Sequence, residues 1–69
     1  MNPHYLENLI RAARAGMVDY APSEDWTRAI ETIAKANTLP DETFESAYVR
    51  LTASDPTCKA MDACRRGAT

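Results

Sequence analysis

Sixty-nine residues suffice for one domain, and a chain this short buries only about 60% of the surface its unfolded form exposes. With 45% hydrophobic residues, 26% charged residues and a net charge of −2, the composition argues against disorder and carries no basic footprint for nucleic acid or an anionic membrane. No apolar run approaches the roughly 18 residues that span a bilayer, and the N-terminus lacks the basic segment and apolar block of a signal peptide, so the expected location is the cytoplasm.

The chain reads as all-α, with three to four short amphipathic helices forming a small bundle. The first is predicted over residues 3–15. Asn2 offers a cap, Pro3 suits the first helical position, and Gly16 supplies a left-handed stop. Leu6, Leu9, Ile10, Ala13 and Met17 repeat at helical spacing within one arc, while Glu7, Asn8, Arg11 and Arg14 face the other way.

Residues 18–22 read as a connection, since Pro22 discourages helix at the residue before it. The second helix is predicted over 24–37, with Ser23 as cap, Glu24 and Asp25 in its first turn, and Trp26, Ala29, Ile30 and Ile33 inward. A third is predicted over 41–53, capped through Thr38, with Phe44, Ala47, Tyr48 and Leu51 inward. Ala53-Ser54-Asp55-Pro56 is a break and a new start, with Ser54 or Asp55 as cap and Pro56 at the first helical position, and the fourth runs over 56–66 to a stop at Gly67. Its Ala60, Met61 and Cys64 make the weakest apolar stripe of the four. No strand pattern competes, and no internal repeat is evident.

Single Trp and Phe residues and three Tyr give little core bulk. A homodimer that shares a core is therefore expected. Cys58 and Cys64 are six residues apart, about 9 Å along a helix, beyond the roughly 4.4–6.8 Å Cα separation of a disulfide. They read as free thiols in a reducing compartment, with an intermolecular bridge as the alternative.

Little here points to catalysis. His4 lies on the polar side of the first helix. One histidine and two cysteines fall short of the roughly four ligands of a structural zinc site, and Gly16 and Gly67 do not make a phosphate loop. No catalytic residue, cofactor or metal is expected. Ile33-Ala34, a turn at Thr38-Leu39, then Phe44 and Ala47 loosely follow helix-turn-helix spacing. The recognition helix would then open on Asp41-Glu42-Thr43-Phe44-Glu45, which repels phosphates.

Charge placement says more. Glu7–Arg11, Glu24–Arg28, Glu31–Lys35 and Asp62–Arg66 are acid-before-base pairs four residues apart, suited to exposed helix faces. The third helix differs, because Asp41, Glu42 and Glu45 have no base four residues later. Val49 sits beside Glu42 and Glu45. Residues 17–45 carry seven acids and two bases. Asp41 and Glu42 partly serve the dipole of a first helical turn. The face nonetheless suits a basic protein partner, with Asp41, Glu42, Glu45 and Val49 as contacts. Tyr20, in the first connection, is a second contact candidate, and packing under the corner is its alternative.

The segment Thr43-Phe44-Glu45-Ser46-Ala47-Tyr48-Val49-Arg50-Leu51, followed by Asp55-Pro56 and Lys59-Ala60-Met61-Asp62-Ala63, resembles a helical hairpin of tailed bacteriophages, including Mu-like temperate phages. Cys58 and Cys64 depart from that pattern, which has aliphatic or aromatic residues there. The resemblance implies no catalytic residue. It implies either a small protein that binds and blocks a host protein, such as a transcription regulator of the quorum-sensing type, in the bacterial host cytoplasm, or a structural or scaffold module of the phage particle. The expected function is thus a non-catalytic, protein-binding adaptor or inhibitor acting through an acidic helical face. The alternatives are the assembly module and a weak helix-turn-helix DNA binder; nucleic acid and membrane are not the expected partners.

Overall fold

Four helices run through the computed structural model, which describes residues 4–17 and 21–67. They are α1 (Tyr5–Arg14), α2 (Ser23–Ala36), α3 (Phe44–Ser54) and α4 (Pro56–Arg65), with no strand among the described residues. The bundle is all-α, as the periodicity predicts. Asn2, Pro3 and Tyr20 lie outside the described residues.

Each helix end has a local cause. Gly16 takes φ 76°, the left-handed geometry that glycine adopts without a Cβ penalty. The Gly16 N–H then donates to Ala13 O at 3.1 Å and the Met17 N–H to Ala12 O at 2.9 Å, a Schellman closure. Met17 follows the glycine, so it leaves the apolar arc predicted for it and stands 68% exposed.

The expected cap at Ser23 is not used. Pro22 is the extended residue, at φ −59° and ψ 148°, and its carbonyl accepts the Asp25 N–H at 3.0 Å. Ser23 is therefore already helical. At the far end of α2 no glycine is present, and side chains satisfy the last carbonyls instead. The Asn37 amide donates to Ile33 O at 2.8 Å and the Thr38 hydroxyl to Ala34 O at 2.7 Å.

Thr38 thus closes α2 and does not open α3. The third helix starts at Phe44, later than predicted, because Pro40 occupies the second position of a turn closed by Glu42 N–H to Leu39 O at 3.0 Å. Thr43 is the true cap, its hydroxyl accepting the Ser46 N–H at 3.1 Å. Of the two candidate caps, Ser54 and Asp55, it is Asp55 that caps α4, accepting the Cys58 N–H at 3.0 Å, and Pro56 opens that helix.

The core gathers around α2. Its Trp26, Ala29, Ile30, Ile33 and Ala34 meet Leu9 and Ala13 of α1, Leu51 of α3, and Cys58 and Met61 of α4. The stripe on α4 is deeper than its composition suggests, since Cys58 and Met61 are fully buried. Helices α1 and α3 each pack against both α2 and α4 but not against each other. On α2, Tyr5 of α1 donates to the Asp25 carboxylate at 2.9 Å, whereas Tyr48 of α3 feels the charge of Glu31. At 100° per residue, Asp25 and Glu31 border the buried stripe on its two sides, so α1 and α3 occupy opposite flanks.

Of the four predicted charge pairs, Asp62–Arg66 closes, at 3.0 Å. It is no simple surface pair, because Asp62 is buried and also takes Arg65. Arg65 in turn donates to the Tyr48 hydroxyl at 2.9 Å and lies 5.7 Å from that ring's centroid, tying α4 to α3. Among the described residues the other three pairs do not come within ion-pair distance.

These caps define a stability experiment in which Trp26, fully buried, reports unfolding by its fluorescence. Thr43→Ala and Asp55→Ala should each lose about 1 kcal/mol in urea titrations, the usual worth of a side-chain cap. Ser23→Ala, which removes no cap bond, should lose only a few tenths. A Ser23 effect equal to the other two would refute the assignment.

Candidate functional site

The acidic residues singled out by the sequence meet at the corner between α2 and α3, and they do not behave alike. Glu42 stands one residue before the Thr43 cap, at the base of the stripe that Ser46 and Arg50 form on α3. Helical side chains lean toward the N-terminus, so Arg50 reaches back down this stripe. Its Nε donates to Glu42 Oε2 at 3.0 Å and its Nη2 to Glu42 Oε1 at 3.0 Å, a two-pronged guanidinium–carboxylate pair. The same Nη2 donates to the Asn37 carbonyl at 2.9 Å.

Glu42 also accepts the Leu39 N–H at 3.1 Å and the Ser46 hydroxyl at 3.4 Å. Its side chain is only 11% exposed. The expectation that Glu42 belongs to an un-neutralised face is thereby corrected. Its base is eight residues away, beyond the spacing at which helical pairs are recognised in a sequence, and becomes adjacent only because the Leu39–Glu42 turn folds the carboxylate under Arg50. The Arg50 hydrogen bonds first, then the Leu39 N–H, pull the Glu42 carboxyl from an ordinary 4.5 down to about 2.

With Glu42 and Arg50 cancelling each other, Asp41 and Glu45 remain as exposed acids without an ion-pair partner among the described residues. Asp41 lies in the turn and not in a first helical turn as predicted. Val49, 66% exposed, follows Glu45 by one turn on the outer side of α3. Leu39, 51% exposed, stands at the start of the turn and completes the set. Leu39 is absent from the contacts expected from sequence. Its position between Thr38 and Pro40, in a connection with no inward stripe, is the signal that could have found it.

The corner presents two acids and two aliphatic side chains on a backbone held by the Arg50 clamp. No three His, Cys, Asp or Glu residues gather as a metal site among the described residues. The same exposed acids make this end of α3 repel phosphates. No helix among the described residues is long and apolar enough to cross a membrane. Cys58 is buried beside its capping Asp55, and burial first, with that carboxylate second, pushes its thiol up to about 11. Cys64 is half-buried, and both thiols are free. A solvent-borne alkylating agent should therefore label Cys64 well before Cys58 in the native protein, read by peptide mass spectrometry. Equal rates would contradict the burial.

The clamp carries a pH signature. Because the folded-state pKa of Glu42 lies below its unfolded value, the pair stabilises fully above about pH 5, and its contribution is lost as pH falls through 4.5 toward about 2. Urea midpoints should fall across that window in the wild type, and the fall should be shallower in Glu42→Gln, which is already weaker at neutral pH. Parallel curves for the two proteins would show that the carboxylate is not specially held.

Compared with known proteins, the chain matches no family model, no curated protein and no solved structure.

Proposed function

We propose that this chain is a non-catalytic binding module that docks a basic protein surface through the α2–α3 corner. One observation supports the reading above others. Arg50 neutralises Glu42 and fixes the turn, yet Asp41 and Glu45 are left exposed, as are Leu39 and Val49 on the same turn and helix. A corner selected only for stability gains nothing from two exposed aliphatic side chains beside two unpaired acids. Together they match the usual composition of a docking patch, with apolar contact at the centre and charge at the rim.

Binding here would be steered by charge and held by the apolar contacts. A partner surface rich in Lys and Arg is the natural complement, and where that surface is a regulator's DNA-binding face, occupation by this corner competes with DNA. The resemblance of residues 43–63 to a hairpin of tailed phages fits either a host-blocking protein or an assembly module, and the acidic corner suits the first, the role of inhibitor.

The test uses the intact chain immobilised and exposed to bacterial lysate, with captured proteins identified by mass spectrometry. Asp41→Lys/Glu45→Lys and Val49→Ser are compared with wild type, and Glu42 is left alone because its reversal would break the clamp. A basic protein captured stoichiometrically by the wild type should be lost from the charge-reversed variant and reduced about tenfold by Val49→Ser, while all variants keep wild-type circular dichroism. Capture that survives charge reversal would end the proposal.

A further inference from the structure

The flank opposite the acidic corner has the reverse character. On α1, Glu7, Ile10, Arg11 and Arg14 line a shallow groove. Ile10 is half-buried at its floor, and both arginines are exposed. Arg14 lies close enough to α4 to act on the Cys58 thiol, and Lys59, the next residue, is exposed. Of the acids nearby, Glu7 lines the groove itself and meets His4 at 3.4 Å, and Asp55 caps α4. Two arginines and a half-buried isoleucine thus outweigh one acid in a groove on the α1 flank, while two acids and two aliphatic side chains are exposed on the α3 flank.

We infer that the α3 corner of one copy docks on the α1 groove of a second copy, joining molecules head to tail. The inference rests on the α2–α3 corner being a docking surface, as proposed above, and names a second copy of this chain as an occupant. Charge decides the geometry. Packing α3 corners against each other across a two-fold axis would oppose Asp41 and Glu45 to themselves, and packing α1 grooves together would oppose Arg11 and Arg14. The unlike pairing sets Asp41 and Glu45 of one copy against Arg11 and Arg14 of the next. Because the two faces lie on opposite flanks of the α2–α4 pair, the contact is heterologous. Each added copy leaves one acidic and one basic face open, so association continues to a ring or a chain and does not stop at two. The closed homodimer expected from the small core is not the geometry these charges favour. Self-association also occupies the corner that a basic partner would use, so free copies and partner compete for it.

The test is sedimentation velocity of the full chain over a wide concentration range at about 0.1 M and about 1 M salt, where the screening length falls from about 10 to about 3 Å. Species beyond dimer should grow with concentration at the lower salt and recede at the higher. Arg11→Glu/Arg14→Glu alone and Asp41→Lys/Glu45→Lys alone should each weaken association at least about tenfold. Mixing the two variants should restore it, because the first keeps a native acidic face and the second a native basic one. A wild type that remains monomeric, a strict dimer, or a mixture that stays dissociated would each overturn the inference. The α1 variant separates it from the partner reading, since that protein loses self-association yet keeps an intact corner for the basic partner.

Discussion

The fold depends on burying one stripe of α2. Trp26, Ala29, Ile30, Ile33 and Ala34 form the largest share of the buried core, and α2 packs against all three other helices. A chain of this size has too little apolar material for two cores, so every other helix is positioned by how it reaches that stripe. α4 covers it most extensively, through Cys58 and Met61, and α1 and α3 fill the two sides. Ala29 and Ala34 are as important as the large residues here. They allow neighbouring helices to approach closely, so that a thiol and a thioether can complete the packing.

That dependence explains which parts of the fold were legible in sequence. Positions whose structure is set by their immediate neighbours read correctly. Gly16 stops α1 because only glycine takes that φ cheaply, and Asp55-Pro56 starts α4 because a short acid followed by proline suits no other local geometry as well. The errors arise where two local signals compete. Ser23 and Pro22 could each have been the boundary residue, and the boundary falls at Pro22, whose ψ of 148° is extended. Thr38 and Thr43 could each have capped α3, and the turn at Pro40 gave Thr38 to the end of α2. The burial of Asp62 was not legible, because it depends on where another helix lies, whereas the exposure of Met17 follows from the left-handed turn at Gly16.

The candidate site divides along the same line. That residues 41–49 are acidic and carry an outward valine is a property of composition and helical spacing, and the chain states it directly. That Glu42 differs from Asp41 and Glu45 is not. Spacing rules compare residues three or four apart on a continuous helix, whereas Arg50 reaches Glu42 across a helix start and a turn. The clamp converts three apparently equivalent acids into one structural carboxylate and two exposed ones, and it adds Leu39 to the surface by fixing the turn that carries it.

The clamp also bears on the docking role proposed for the corner. Connections between helices ordinarily lose conformational entropy when a partner immobilises them, and that loss subtracts from affinity. Here the ordering has already occurred on folding. Arg50 holds the Asn37 carbonyl and both oxygens of Glu42, while Glu42 holds the Leu39 N–H, so the backbone from Asn37 to Glu42 is fixed by bonds that an incoming surface need not supply. The exposed acids are carried by this fixed segment and the helix start beside it, free to meet charge without first being ordered. On the docking role proposed above, loss of Arg50 weakens recognition without removing any proposed contact residue, because the corner would have to be organised again at each encounter.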